Sequence, residues 1–351
     1  LIKRYKDANL PTFEIIDLNK NKLNKQSWIA PETLSKVKDH LKKKDQILFF
    51  MNRRGFAPYA LCKNCVKVYS CPNCSINLVY HKNKNILLCH YCGFNNKLNR
   101  SCSKGNVCDF VFSGPGVERI AEEVKILFPD KKISIFSSDT MNKKSSIEKL
   151  DSIVKGEVDI LIGTQLISKG FHFPNLNCIV VLDIDLTSNG HDLRTAEKNL
   201  QLYHQLSGRA GRTGKAAKVY FQTYGINQNI INQITHPDPF VFLDNELKLR
   251  EKNNLPPFER FVSLILTSSE ENNLEKESQN LKKILLDSIE DRVLGPVNAP
   301  IYRVKGKYRQ RLLIRSKKGS QIQNKLAEIL NNLKLSSEIK LTVDVDPITF
   351  N

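Results

Sequence analysis

Short apolar runs alternate with amphipathic stretches from Pro31 to about residue 224. The runs that predict strands are Gln46–Met51, Phe110–Phe112, Lys132–Phe136, Val158–Ile162, Cys178–Leu182 and Ala217–Phe221. The stretches that predict helices are Pro31–Lys44, Val117–Leu127, Ser145–Lys155 and Leu200–Leu206. Strands that are apolar throughout and alternate with helices are typical of a parallel sheet with helices on both faces. We therefore expect an α/β domain in this part of the chain.

The pattern changes after residue 224. A strand is predicted at Phe261–Leu266 and a charged helix at 271–289, and strands at Arg311–Arg315 and Leu341–Val345 enclose another helix. This order indicates a separate, small α+β domain over residues 225–351. Residues 1–26 are polar and weakly patterned, and the chain does not begin with Met. We expect this segment to be a linker or the end of an upstream region.

A cysteine-rich window divides the α/β domain after its first predicted strand. Eight of the nine cysteines lie in it, as the pairs Cys62/Cys65, Cys71/Cys74, Cys89/Cys92 and Cys102/Cys108. The expected organisation is an α/β domain at 27–61 and 109–224 with an insertion at 62–108. A Cys-x-x-Cys turn presents two thiolates to one tetrahedral zinc, so four pairs supply two closed Cys₄ sites for structural zinc.

Other uses of these cysteines are weaker. A redox Cys-x-x-Cys occurs in thioredoxin-like proteins, but several pairs within one short window argue against it. His81 and His90 are alternative ligands, and the five residues between Cys102 and Cys108 make an unusual spacing. The ninth cysteine, Cys178, lies in an apolar run and is expected to be a buried strand residue.

The bulk composition favours a polyanionic partner. The formal net charge is +18, as nucleic-acid-binding proteins often show. A genome biased towards Lys and Asn would also raise the charge. No apolar stretch approaches the roughly 20 residues of a membrane-spanning helix, and the N-terminus has no signal-peptide pattern. We expect a cytoplasmic protein.

Two segments carry candidate phosphate chemistry. In Gln205–Arg212, Arg209 and Arg212 lie three residues apart on one side of a helical turn, among small residues that permit close approach of another surface. Guanidinium groups so placed suit a γ-phosphate delivered by a neighbouring domain. The segment Gly163–Pro174 follows a predicted strand, where parallel sheets commonly hold phosphates. The alternatives are a surface arginine pair and a simple helix cap.

A basic run in the C-terminal domain is a further candidate for DNA binding. Its cations, without one acid among them, are Arg303, Lys305, Lys307, Arg309, Arg311, Arg315, Lys317 and Lys318. Tyr302 and Tyr308 are interleaved with them and are of the type that stacks on bases. The alternative is a solvated basic surface.

These motifs together resemble a known family. Gln-x-x-Gly-Arg-x-Gly-Arg at 205–212 resembles motif VI of superfamily 2 helicases, and the segment from Gly163 resembles motif V. With the two-zinc insertion, the chain is similar to the PriA family of bacterial primosomal replication-restart helicases. Further segments fit that family, namely Phe49–Pro58, Leu255–Phe258, Leu294–Val297 and Asp344–Pro347.

The resemblance implies roles for individual residues and a RecA-like helicase lobe 2 for the α/β domain. Arg209 and Arg212 would face ATP with Gln205 orienting them, Thr164 and Lys169 would contact the DNA backbone, and Gly170 and His172 would lie near the nucleotide. The zinc pairing would be nested, with Cys62, Cys65, Cys102 and Cys108 on one ion and Cys71, Cys74, Cys89 and Cys92 on the other. The chain departs from the family at its last pair, which the family usually writes as Cys-x-x-Cys.

The resemblance also implies an activity and partners. The parent protein would be an ATP- and Mg²⁺-dependent 3′-to-5′ DNA helicase that recognises stalled or branched forks and starts primosome assembly. Its partners would be branched and single-stranded DNA, the single-stranded DNA-binding protein, other primosome proteins and helicase-loading factors, with no membrane. These 351 residues contain neither Gly-x-x-x-x-Gly-Lys-Ser/Thr nor Asp-Glu-x-His, so the chain alone is predicted not to hydrolyse ATP. The alternative is a stand-alone zinc-containing nucleic-acid-binding module.

Overall fold

The chain divides into two compact units. The first comprises residues 1–57, 114–190 and 195–242, and the second comprises 58–113, 191–194 and 243–351. The computed structural model describes residues 11–24, 27–52, 59–62, 69–74, 78–81, 86–89, 92–97, 110–113, 117–136, 145–168, 173–182, 184, 193–211, 214–225, 236 and 238–349. No helix in those ranges is long and apolar enough to cross a membrane.

The first unit is built on a six-stranded sheet in which all neighbouring strands are parallel. With strands numbered along the chain, their order from edge to edge is β1 (Thr12–Asp17), β11 (Lys218–Thr223), β10 (Leu176–Val181), β2 (Gln46–Phe50), β9 (Ile160–Gly163) and β8 (Ile133–Phe136). The helices are α1 (Pro31–Lys42), α2 (Val117–Leu127), α3 (Ser145–Val154) and α4 (Thr195–Ser207). The parallel sheet predicted from the apolar runs is confirmed.

Both faces of this sheet are covered, as the sequence predicts. Along β2, Leu48 and Phe50 join the core formed with α3 and α4, whereas Ile47 and Phe49 join the core formed with α1 and α2. Successive side chains of a strand point to opposite faces. Each of these four side chains is fully buried, which contributes about 1.5–3 kcal/mol for a side chain of this size.

Helix α1 begins without a capping side chain of its own. Its first residue is Pro31 and its N-cap is Ala30, which has no hydroxyl or carboxylate to offer. Gln222 of β11 supplies the missing contacts, because its Oε1 accepts the N–H of Ala30 at 2.8 Å and the hydroxyl of Thr33 at 2.5 Å. Its Nε2 donates to the carbonyl of Trp28 at 2.8 Å. One side chain therefore joins the sheet to the start of the helix.

The structure corrects two of the sequence predictions for this region. Residues 12–17, which the sequence analysis placed in a linker, form the edge strand β1 paired with β11. This segment is short and interrupted by polar residues, so it becomes a regular strand only because it pairs with β11. Residues 110–113, expected to belong to the parallel sheet, form β7, which pairs antiparallel with β3 (Tyr59–Cys62) in the second unit. A brief apolar run does not specify which sheet it will join.

Among the described residues, the second unit contains two further sheets besides the β3–β7 pair. A small antiparallel sheet consists of β4 (Val79–His81), β5 (Ile86–Leu88) and β6 (Asn95–Lys97). The other sheet is antiparallel, in the order β13 (Arg292–Val304), β14 (Lys307–Lys317), β12 (Glu259–Ser268) and β15 (Lys340–Val345). The second unit also contains α6 (Glu271–Ser288) and α7 (Ile322–Asn331), while α5 (Pro239–Lys252) begins in the first unit and ends in the second.

Helices α6 and α7 pack on one face of the four-stranded sheet. Leu281 of α6 and Leu326 of α7 meet Leu264 of β12 and Leu312 of β14 in a buried core. The predicted α+β character is confirmed, with β12, β14 and β15 at the expected positions. Strand β13 was not predicted, because Gly295 and Pro296 interrupt it and its register with β14 shifts there.

Candidate functional site

Four of the predicted zinc ligands converge on one point in the second unit. We call them the four-cysteine cluster: Cys71, Cys74, Cys89 and Cys92. The first pair lies before β4, and the second pair lies between β5 and β6. The cluster rests on the buried side chains of Leu78 and Leu87, with Tyr69 and Phe94 packed beside it. So few apolar groups make a small core, which is typical of a fold that a metal stabilises.

The thiols are spaced for a tetrahedral metal ion. All four Sγ atoms lie within 4.8 Å of one another, and those of Cys71 and Cys92 are 3.6 Å apart. A zinc–sulfur distance of about 2.3 Å places tetrahedral thiolates about 3.8 Å apart. Because all four positions are filled by protein sulfur, zinc here would have a structural role and would not activate water.

Backbone N–H groups point at the sulfur atoms. The N–H of Asn73 donates to Cys71 Sγ at 3.4 Å, and that of Phe94 donates to Cys92 Sγ at 3.5 Å. The contact from Phe94 is the main reason that the pKa of Cys92 is lowered to about 7, whereas burial raises the pKa of Cys71 to about 12. A zinc ion entering the cluster would therefore displace protons, and more of them from Cys71 than from Cys92, whose thiol is already partly ionised at neutral pH.

The other predicted zinc ligands are not brought together in the described residues. Cys62 ends strand β3, which fixes its backbone position only, and Cys65, Cys102 and Cys108 lie outside the described residues. Of the alternative ligands, His81 ends β4 and His90 lies outside the described residues. The structure therefore carries one of the two expected centres, and the second stays a prediction.

The segment resembling motif V begins at the carboxyl end of β9. Thr164 follows this strand and is 8% exposed, and Gln165 opens a short 3₁₀ helix. The Gln165 amide donates to Asn52 Oδ1 at 2.7 Å, and the Asn52 amide donates to Asn199 Oδ1 at 3.2 Å. Asn52 follows β2 and Asn199 lies on α4, so side-chain amides from three elements meet near the carboxyl ends of β9 and β2. We call these three residues the amide network.

The sequence analysis missed Asn52 and Asn199. Asn52 could have been found, because it follows an apolar strand at the edge where parallel sheets place functional groups. Asn199 gave a fainter signal, a polar residue on the buried side of α4.

The segment resembling motif VI begins on α4 and continues beyond its end. Gln205 is exposed on the helix, and Arg209, two residues past the helix end, is half-buried. The turn is tight, since the N–H of Arg209 donates to the carbonyl of Leu206 at 2.9 Å. The N–H of Gly211 then donates to the carbonyl of Leu176 at 3.2 Å, which lies at the start of β10. Arg209 thus lies beyond the C-terminal end of α4, whereas Asn199 and the amide network lie nearer its N-terminal end.

Several predicted residues of these two motifs cannot be placed. Lys169, Gly170, His172 and Arg212 lie outside the described residues. Leu176 closely follows the segment that contains Gly170 and His172, and the turn after Arg209 contacts it.

The structure engages several members of the basic run within the second unit. Arg303 lies over the ring of Tyr308, with 5.0 Å between Cζ and the ring centroid. The ring centroids of Tyr302 and Tyr308 are 5.4 Å apart, and the Tyr302 hydroxyl donates to Glu271 at 2.6 Å. Lys307 is exposed and Arg309 is half-buried. These contacts give the two tyrosines and Arg303 a structural role, whereas Lys307 remains accessible to a polyanion.

The parallel sheet, the two motif segments and the four-cysteine cluster define a helicase C-terminal lobe accompanied by a zinc-binding module. Three family models match the chain: "Helicase conserved C-terminal domain" at residues 95–214, "PriA DNA helicase Cys-rich region (CRR) domain" at 71–97, and "Primosomal protein N C-terminal domain" at 251–348. The chain belongs to the PriA family.

Relatives carrying the name "Replication restart protein PriA" align along almost the whole chain. The protein from Rickettsia typhi is 40% identical over 352 residues, which cover 100% of this chain and 54% of the relative. Those from Haemophilus influenzae and Bacillus subtilis are 34% and 32% identical, covering 99% and 96% of this chain and 48% and 43% of the relatives. The chain therefore spans about half the length of the curated relatives it matches.

Solved structures give weaker similarities. RecG bound to a three-way DNA junction is 12% identical with a TM-score of 0.40, over 80% of this chain and 27% of that chain. Dbp5 of S. cerevisiae bound to RNA and ADP BeF3 is 12% identical with a TM-score of 0.32, over 68% of this chain and 39% of that chain. At these TM-scores neither similarity supports a functional argument.

Proposed function

We propose that the chain is the C-terminal half of an ATP-dependent 3′-to-5′ DNA helicase that recognises stalled or branched replication forks and initiates primosome assembly. Membership of the PriA family supports this proposal. The single observation that carries it is that the first unit holds Thr164 at the carboxyl end of β9 and Arg209 in the turn that follows α4. Such edges and turns are where motor proteins hold phosphates.

The ATP-facing side would be formed by Arg209, Arg212 and Gln205, with Gly170 and His172 near the nucleotide. ATP with Mg²⁺ supplies the phosphoryl group that is transferred to water. The guanidinium of Arg209 would offset the charge that develops on that group. Arg209 is half-buried and lies in a tight turn, which limits the conformations of its side chain. Less conformational entropy would therefore be lost when the side chain contacts phosphate.

The DNA-facing side of this unit would be formed by Thr164 and Lys169. Asn199 ties α4 to the network that contains Gln165, and α4 leads from there towards Arg209. The part of α4 from Asn199 to Ser207 extends about 12 Å at 1.5 Å per residue. A rigid helix of this length would carry a displacement at the DNA-facing edge to the ATP-facing arginine.

The remaining contacts to DNA would come from the C-terminal domain, through Lys307, Arg309 and, after rearrangement, Arg303 and Tyr308. A strongly basic strand favours the phosphate backbone of single-stranded and branched DNA. We also propose two structural zinc ions, and contacts with the single-stranded DNA-binding protein, other primosome proteins and helicase-loading factors. The protein would act in the cytoplasm, at nucleoid-associated forks and without a membrane.

An ATPase measurement tests the motor assignment. In the full-length protein, Arg209→Ala should lower DNA-stimulated ATP hydrolysis by at least about 100-fold, since arginines that contact the γ-phosphate commonly contribute about 10³-fold or more, while DNA affinity stays within about twofold. Lys198→Ala is the matched control, because it removes an exposed cation from the same helix. Near-normal turnover in Arg209→Ala would exclude the assigned role.

The second candidate is a stand-alone zinc-containing nucleic-acid-binding module without motor activity. The net charge of +18 and the four-cysteine cluster favour it equally well. The two candidates differ upstream of Leu1: the helicase requires coding sequence for a phosphate loop and an Asp-Glu pair. A start codon at residue 1, with no ATPase activity in the product, would favour the module.

A further inference from the structure

A hairpin turn of the C-terminal domain rests on the four-cysteine cluster. The turn is Lys305–Gly306 and joins β13 to β14, with Val304 paired to Lys307 across it. Both turn residues have positive φ, 51° and 81°, as a two-residue type I′ hairpin requires. This conformation fixes the direction in which the two N–H groups point.

Both of those N–H groups contact the turn that carries the first cysteine pair. The N–H of Lys305 donates to Cys74 Sγ at 3.4 Å, and the N–H of Gly306 donates to the carbonyl of Asn73 at 2.8 Å. The side chain of Arg303 donates to the carbonyl of Pro72 at 3.2 Å. Consecutive residues of one turn therefore meet consecutive residues of the other.

An apolar contact completes this arrangement. Val304 packs against the small core under the cluster, although it lies more than 200 residues away in the sequence. Cys74 is only 3% exposed, and the N–H of Lys305 reaches its Sγ from outside the cysteine-rich window. The hairpin thus contacts a sulfur atom of the four-cysteine cluster and the small core beneath it.

The charges of the two parts are complementary when metal is bound. Four thiolates around one Zn²⁺ carry a net charge of −2. Arg303, Lys305 and Lys307 place three cations on the hairpin that faces this centre. N–H donors and nearby cations stabilise such a centre, since metal sites depend on the groups that hydrogen-bond to their ligands.

We propose that the Arg303–Lys307 hairpin is part of the metal centre, so that zinc binding and hairpin docking stabilise each other. The Lys305 N–H is a positioning group for Cys74. By linkage, whatever zinc contributes to docking, docking contributes equally to zinc binding. The C-terminal domain is then held to the zinc module only while the metal is present.

The first test compares two glycine substitutions in the full chain. Gly306→Val forces a β-branched residue into a positive φ and displaces the hairpin. Gly319→Val is the matched control: its φ is 89°, a Cβ there would also meet nothing within 4 Å, and it lies in another turn of the same domain. Zinc release to a chromogenic chelator should be about 10-fold faster in Gly306→Val and unchanged in Gly319→Val. The release phase belonging to the cluster is identified by its absence from Cys92→Ser.

The second test needs no substitution in the hairpin. Amide hydrogen exchange at residues 304–306 should accelerate several-fold when zinc is removed from the unmodified chain, while the turn around Gly319 should exchange at the same rate. Equal zinc release from the two glycine variants, or unchanged exchange at 304–306, would overturn the proposal. The proposal requires that the four-cysteine cluster binds zinc, and metal analysis measures this separately. A cluster without zinc can therefore be distinguished from a zinc-bound cluster that is not coupled to the hairpin.

Discussion

Replacing Gln222 by methionine should destabilise the first unit strongly, although the two side chains are similar in length. Gln222 is 1% exposed and Thr33 is fully buried. The substitution removes three hydrogen bonds, to Ala30, Thr33 and Trp28. At a net value of about 1 kcal/mol each, their loss costs about 3 kcal/mol.

Two smaller effects act in opposite directions. The N–H of Ala30 loses its partner in a buried environment, which adds about 1–3 kcal/mol, whereas the carbonyl of Trp28 is only part-buried and can bond to water instead. The greater apolarity of methionine returns about 1 kcal/mol, and the Thr33 hydroxyl can turn towards a carbonyl of its own helix. We expect a net loss of about 3 kcal/mol in the free energy of unfolding.

Urea unfolding followed by tryptophan fluorescence measures this change directly. Trp28 is the single tryptophan and belongs to the affected unit, so its signal isolates that unit from the other. Gln201→Met, at an exposed position of α4, is the control and should change stability by less than about 0.5 kcal/mol. A double-mutant cycle with Thr33→Val should give a coupling of about 1 kcal/mol. A loss below about 1 kcal/mol for Gln222→Met would refute the reasoning.

Three further predictions concern metal, pH and DNA. Metal analysis should find two zinc ions per chain, falling to one in Cys92→Ser and staying at two in Cys178→Ala; a value near one in the unmodified chain would remove the predicted outer site. The pKa of Glu14 is lowered from its ordinary value of 4.5, chiefly by its hydrogen bond with Lys36, so its contribution is present above that value and is lost as the pH falls through the lowered pKa. The stability advantage over Glu14→Gln, no more than about 1 kcal/mol at pH 7 for this partly exposed pair, should therefore shrink in thermal unfolding as the pH falls below 4.5 and through the lowered pKa of Glu14. An advantage that does not decrease with pH in this acidic range would contradict the assignment. Arg309→Ala should weaken binding of single-stranded DNA and reduce the slope of log affinity against log salt by about 0.7, whereas Lys283→Ala, on α6 behind the sheet, should leave that slope unchanged; equal slopes for the two variants would argue against phosphate contact by Arg309.

The hydrophobic pattern predicts the sheet well and its edges poorly. Strands such as β2 and β10 are apolar at every position because both faces are covered, and that property is visible in sequence. Strand β1 depends on pairing with a partner about 200 residues away, so its local pattern is weak. The same holds for β7, whose partner β3 determines its sheet.

The site divides in a similar way. Cysteine spacing indicates metal because two ligands on one turn are a local property. The contact between Lys305 and Cys74 depends on tertiary structure, and its donor is a backbone N–H that every residue except proline possesses. No inspection of residue types would have found it. The amide network of Asn52, Gln165 and Asn199 was missed for the related reason that its members lie on three separate elements.

Strand β1 has a practical consequence for anyone preparing shorter versions of this protein. It covers the outer edge of β11, where Thr12–Asp17 pair with Lys218–Thr223 along their whole length. A version that starts at residue 27, where the sequence pattern predicted the start of the domain, would leave β11 as an uncovered edge strand that carries buried apolar side chains such as Val219 and Phe221. Uncovered edges of this kind pair with other molecules and aggregate. Useful expression boundaries therefore lie before residue 12.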